Sequence, residues 1–168
     1  MHNRKIFVGV TSLFFVGLLV VTGNICLPSQ AKAQEQCHKI NTTLTSIADF
    51  DTFTTEGEIK SGFLKGTTML TGDPTSQTPI TGEALPPLEP LTFSYTGNLE
   101  ITTRKGILIT RSVGVFEAVP FGLGTQFDRV IDGTGLFDGA EGYLFLNYKA
   151  DDTGGGFTSS VRGEICVY

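Results

Sequence analysis

The chain has 168 residues, a formal net charge of −5, three cysteines and two histidines. An acidic balance argues against nucleic acid and anionic lipid as partners, because both draw positive charge to themselves. No Cys or His cluster has zinc spacing, which argues against a structural metal site.

Arg4 and Lys5 precede an uncharged apolar run from Ile6 to Val21, and Ala31, Lys32 and Ala33 follow. A basic start, an apolar segment and an A-x-A site read as a signal peptide over residues 1–33, leaving a single domain over 34–168. The run lies at the short end of what spans a bilayer, so cleavage is favoured over a membrane anchor. Bulky Ile25 disfavours lipidation at Cys26. The expected location is secreted or extracytoplasmic, with no membrane association after cleavage. In an oxidising compartment Cys37 and Cys166, an isolated pair, read as a disulfide.

His38 to Leu44 alternates Ile40, Thr42 and Leu44 with polar neighbours, a short strand pattern. Residues 45–56 lose the period and read as a loop with Ile47, Phe50 and Phe53 as buried anchors. Glu58 to Leu70 reads as a strand with a bulge or bend at Gly62 and Gly66. Thr71 to Pro90 reads as a long loop, because its prolines withhold the amides that a sheet ladder needs.

The cleanest period runs from Leu91 to Thr103, where Leu91, Phe93, Tyr95, Gly97, Leu99 and Ile101 share one face. A turn at Arg104, Lys105 and Gly106 returns the chain as Ile107 to Phe116. Phe93, Tyr95, Leu99 and Ile101, joined by Tyr143 and Phe145, are candidates to line a cavity. The alternative is a solid core, since small barrels are commonly filled by their own side chains.

From Phe127 to Tyr148 the chain reads strand, corner, strand. Gly133, Gly135, Gly139 and Gly142 surround Phe137, which is placed to act as a plug. Tyr143 to Tyr148 is apolar on both faces, which suggests an outer face covered by another subunit, and an aromatic-rich strand under a loop would read identically. DDTGGG over 151–156 is a turn, and Phe157 to Val167 alternates again with Cys166 on the polar face. No helical window survives outside the signal segment. Seven or eight antiparallel strands fit a sandwich or a closed β-barrel, and the barrel is favoured because a bridge between the first and last strands suits a sheet whose ends meet.

The run Gly133, Thr134, Gly135, Phe137, Gly139, Ala140, Gly142 resembles the GTG-x-F-x-x-A-x-G corner of plant dirigent proteins and of allene oxide cyclase-like barrels, above all small secreted bacterial members of that superfamily. The resemblance extends over Leu91 to Val167. It implies an all-β, eight-stranded antiparallel barrel, often trimeric, with an apolar cavity that in the plant relatives accepts a lipid-derived epoxide or a phenolic intermediate. Such relatives steer ring closure by holding a reactive molecule in one conformation. Asp138 and Glu141 stand where the plant motif carries basic residues, and no catalytic residue is carried over.

His38 and Cys37 are adjacent on a strand and so point to opposite faces, unlike a nucleophile and its base. The acids Asp128, Asp132, Asp138, Glu141, Asp151 and Asp152 read as turn chemistry, and their spacing fails a calcium-loop template. No cofactor is expected. The reading is a non-enzymatic binder of a small apolar molecule or an interaction module. One alternative is an isomerase or cyclase using an acid such as Glu100 or Asp128, held in an apolar pocket with a raised pKa. The other is a structural homo-oligomer.

Overall fold

Period-two alternation becomes nine antiparallel strands in the computed structural model, which describes residues 35–76, 78–79, 92–117, 122–151 and 155–168. The segment read as a signal peptide and most of the proline-rich stretch lie outside the described residues. The strands are β1 (Gln36–Asp49), β2 (Thr54–Ile59), β3 (Gly66–Gly72), β4 (Thr78–Pro79), β5 (Thr92–Thr103), β6 (Gly106–Glu117), β7 (Leu123–Gly133), β8 (Glu141–Ala150) and β9 (Gly156–Val167). Their order is β3-β2-β1-β9-β8-β7-β6-β5-β4, and an added β3–β5 pairing closes the long strands into an eight-stranded barrel with β4 appended to β5. Closure removes the free edges that would otherwise template aggregation.

The first and last long strands pair from Gln36 opposite Val167 to Ile47 opposite Gly156, with Cys37 directly opposite Cys166. The two cysteines form a disulfide with an S–S distance of 2.07 Å. Cys37 is exposed, so the bridge clamps the outer face of the seam.

One end of the barrel is packed solid. Ile40, Ile59, Leu64, Ile101, Leu108, Ile165 and Val167 converge there around Phe137, which is fully buried and meets the Phe63 ring edge-on at 5.7 Å between centroids. The corner that delivers this plug is a 3-10 turn over Gly135–Phe137 between β7 and β8. Gly135 has φ +62, and a Cβ on Gly133 would stand 2.2 Å from the Phe137 carbonyl oxygen, so neither position tolerates a side chain. A register shift between Ile109 and Thr110 leaves exposed Ile131 as an extra residue in β7 and tightens the approach to the corner.

Three expectations need correction. The first strand does not stop at Leu44. It continues to Asp49, and only 50–53 form the turn. Inward Ser46 and Ala48 are small, which hid the alternation, while Ile47 and Phe50 are 70 % and 59 % exposed and are not buried anchors. Gly62 and Gly66 mark a hairpin between two strands rather than a bulge in one: β2 ends at Ile59, Gly62 turns with φ +84, and β3 begins at Gly66. The stretch from Thr71 begins with the end of β3, a 3-10 turn over Pro74–Ser76 and the short β4.

Candidate functional site

At the end opposite the Phe137 plug the barrel is hollow. A cavity of about 140 Å³ opens there, floored by Leu44, Leu99 and Leu146 and walled by Phe50, Phe53, Phe116 and Phe157. Small residues line it beside the aromatic ones, Ser46 and Ala48 from β1, Thr68 and Gly72 from β3 and Ser159 from β9. Tyr95 on β5 lies opposite Gly114 on β6, and Tyr148 on β8 lies opposite Gly124 on β7. A Cβ on Gly114 would come within 2.4 Å of the Tyr95 ring, and one on Gly124 within 2.1 Å of the Tyr148 ring. Each tyrosine therefore lies across its glycine, an arrangement that fills the gap left by a missing side chain in a sheet.

Laid down this way, the two hydroxyls meet at 3.1 Å. Tyr95 donates its hydrogen to Gln126 Oε1 at 2.7 Å, and Gln126 Nε2 donates to both carboxylate oxygens of Asp128 at 3.0 and 2.9 Å. Asp128 also accepts from Ser112 Oγ and from Thr110 Oγ1, the latter at 2.9 Å. Tyr148 can turn its hydrogen to Tyr95 or to the Val115 carbonyl oxygen at 3.2 Å. Asp128 is fully buried, and desolvation raises its pKa, partly offset by hydrogen bonds from Ser112, Gln126 and Thr110. Burial pushes the Tyr148 phenol up to about 12 and the Tyr95 phenol higher still, so both stay protonated at neutral pH.

Three further hydroxyls line the cavity: Ser46 on β1, Thr68 on β3 and Ser159 on β9. Each is at least nine-tenths buried, yet none hydrogen-bonds to another described residue. Among the described residues no sealed side-chain oxygen or nitrogen lacks a partner, so these hydroxyls face the open space. The cavity wall also includes Asp49 and Asp73. Asp49 Oδ1 accepts from the Asp51 and Thr52 amides at 2.9 and 3.3 Å. Asp73 Oδ1 accepts from the Thr75 amide and hydroxyl at 2.9 and 2.6 Å. Backbone hydrogen bonding, from Asp51 first, lowers the pKa of Asp49, and hydrogen bonds from Thr75 lower that of Asp73. Both are carboxylates at neutral pH.

Of the residues expected to line a cavity, Tyr95 and Leu99 do so. Ile101 is fully buried in the solid end, and half-buried Phe93 lies outside the cavity wall. Tyr143 and Phe145 point outward, 42 % and 45 % exposed. On β8 the inward set is Leu144, Leu146 and Tyr148. Because both faces of that strand are apolar, its pattern did not reveal the parity. Glu100 is exposed, and Asp128 sits behind Gln126 instead of on the cavity wall. Gln126, Tyr148 and the two glycines went unnoticed, because a glycine opposite a tyrosine becomes visible only once the register is known. Glu35, Cys37 and Cys166 lie close enough to share an ion, but the disulfide occupies both sulfurs.

Two solved structures of pterocarpan synthase dirigent proteins are similar to this chain. One is 12 % identical with a TM-score of 0.34, covering 80 % of this chain and 92 % of that one. The other is 15 % identical with a TM-score of 0.32, covering 81 % and 99 % respectively. No protein-family model and no curated protein matches the chain. Likeness at these TM-scores adds nothing to the barrel assignment, which the strand pairing carries by itself.

Proposed function

We propose that the chain is an extracytoplasmic binding barrel whose open end takes one small, largely apolar molecule bearing a polar group. The observation that carries this reading is the pairing of an apolar wall with the tyrosine pair and three buried hydroxyls that have no hydrogen-bond partner among the described residues. A dry core has no use for such hydroxyls, and sites for small ligands combine apolar walls with a few convergent polar groups. A cavity of about 150 Å³ lined by apolar side chains admits benzene, so a single-ring compound is the right size class. The Cys37–Cys166 disulfide supports an oxidising compartment.

Binding is favoured over ring-closing catalysis because the buried acid is occupied. The Asp128 carboxylate is satisfied by Thr110, Ser112 and Gln126, and Gln126 stands between it and the cavity. A general acid must come within hydrogen-bond reach of the reacting group, directly or through one water.

Self-association is a second reading. Val113 lies opposite Phe127, which lies opposite Phe145, in one outward row across β6, β7 and β8. These side chains are 54 %, 38 % and 45 % exposed. A contiguous apolar face of this kind marks an interaction surface.

Ligand-observed NMR and thermal shift with toluene and benzyl alcohol test the binding reading. Both compounds are expected to bind and to raise the melting temperature. Ala48→Phe, which fills the mouth without removing a core side chain, is expected to abolish both effects. Absence of binding by the wild type would overturn the reading.

A further inference from the structure

We propose that the molecule held in this cavity is a small organic amine in its ammonium form, a refinement that rests on the binding reading above.

The argument starts from the direction of the hydrogen bonds. The Gln126 amide nitrogen donates to both Asp128 oxygens, and this turns Gln126 Oε1 toward Tyr95. The Tyr95 hydrogen is committed to that oxygen at 2.7 Å. What Tyr95 can still offer is an acceptor lone pair. Tyr148 has acceptors of its own for its single hydrogen, in Tyr95 and Val115. The buried chain thus gives the tyrosine pair an accepting character, and a ligand rich in N–H donors complements it.

The wall repeats that preference. Asp49 and Asp73 accept their turn hydrogen bonds through Oδ1, and both belong to the cavity wall together with Phe50, Phe53, Phe116 and Phe157. Aromatic faces carry negative electrostatic potential and attract an ammonium, more strongly where it is partly desolvated. Both acids stand at the exposed rim, where an anion of the same shape would meet two carboxylates; among the described residues no Lys or Arg belongs to the wall, and Arg111 acts on Asp73 from outside it. Ser46, Thr68 and Ser159 can each donate or accept, and are compatible with a second polar atom on the ligand.

The test uses isosteric probes on the wild-type protein: benzylamine, benzyl alcohol, toluene and phenylacetate, titrated by calorimetry at neutral pH and low salt. Benzylamine is expected to bind about tenfold or more tighter than benzyl alcohol, an advantage of the size that one partly desolvated cation–aromatic contact supplies. Phenylacetate is expected to bind more weakly than toluene. In Asp49→Asn/Asp73→Asn the amine advantage is expected to fall at least several-fold, with benzyl alcohol affinity unchanged. Should that variant fail to fold, salt dependence of the wild type decides: raising ionic strength from about 20 mM to about 0.5 M is expected to weaken benzylamine selectively, because exposed charges are screened. Benzyl alcohol binding as tightly as benzylamine, or an amine advantage indifferent to both the substitutions and salt, overturns the amine inference while the binding reading stands. No binding by any of the four overturns both.

Discussion

Tyr95 lies against Gly114, its cross-strand partner, so closely that an added Cβ would fall 2.4 Å from the ring. The contact places the Tyr95 hydroxyl over Gln126, and it makes glycine a condition of the site. Gly114→Ala is therefore expected to displace the ring, break the bond to Gln126 and lower stability by about 1–3 kcal/mol, the range for overpacking a filled site. Urea unfolding checks it. In a Tyr95→Ala background the same Gly114→Ala change is expected to cost much less, since the atom it collides with is gone, and equal costs in both backgrounds would refute the coupling.

Asp128 gives a pH signature with a definite sign. Burial holds its folded pKa above the ordinary value of 3.8, so the folded protein keeps the proton more tightly than the unfolded chain. The stability this contributes is complete below the unfolded pKa and is lost as pH rises through the raised folded pKa. Asp49 and Asp73 run the other way: their lowered pKa values add stability that disappears as the solution is acidified. Comparing wild type with Asp128→Asn isolates the first effect. The wild type is expected to lose stability relative to the variant as pH climbs from about 4, levelling off once the folded carboxyl has ionised. Urea midpoints at a series of pH values measure it, and a constant difference from pH 4 to 8 would contradict the assignment.

How much was legible in the residues follows from what makes a barrel hollow. Where inward positions are large, as at Leu99 and Ile101 or Val161 and Ile165, the period of two stands out and the strands were readable. The Phe137 corner was readable for a related reason, since glycines forced by positive φ and close approach leave a compositional mark. Around the cavity the logic reverses. Space exists because Ser46, Ala48, Gly114 and Gly124 are small, and those residues are the ones that erase the pattern. The tyrosine pair depends on two cross-strand registers, and Gln126 gains its role from a buried partner two residues away on the same strand. No local pattern contains that information. Tyr143 and Phe145 misled for the complementary reason: an apolar outer face is indistinguishable from an inner one until the barrel closes.

The outward row of Val113, Phe127 and Phe145 carries the self-association reading, and it can be tested without touching the cavity. Phe127→Lys/Phe145→Lys is expected to leave the melting temperature within a few degrees and to turn an associating protein into a monomer by sedimentation velocity. Both rings already lie more than a third exposed, so folding loses little when they go. A wild type that stays monomeric at high concentration would remove this reading.

The Cys37–Cys166 bridge closes a separation of 129 residues. In the chain-entropy model such a loop contributes about 4–5 kcal/mol as an upper figure, because native strain subtracts from it. Cys37→Ser/Cys166→Ser is expected to lower the urea midpoint markedly while preserving ligand binding, since the strand pairing beyond the bridge runs unbroken to Ile47 opposite Gly156 and the cavity lies at that far end. Loss of binding in a variant that remains folded would mean that the two ends of the barrel are mechanically linked.

That separation of ends is tested most directly at Phe137. The ring is wholly buried, packs edge-on against Phe63 and belongs to the solid end, with no atom on the cavity wall. Phe137→Ala is expected to cost about 3–5 kcal/mol, the range for emptying a core aromatic site, which can unfold a domain of this size outright. Phe137→Leu keeps most of the volume and loses the edge-to-face contact, for an expected cost of about 1–2 kcal/mol. The informative comparison is with Leu146→Ala, which removes a similarly buried side chain from the cavity floor. Both changes lower the melting temperature, but only Leu146→Ala is expected to alter affinity for a single-ring ligand or to shift preference toward a bulkier one. If Phe137→Leu changed affinity as much as Leu146→Ala, the plug and the cavity would be one cooperative unit, and the solid end could not be treated as a passive foundation for the open one.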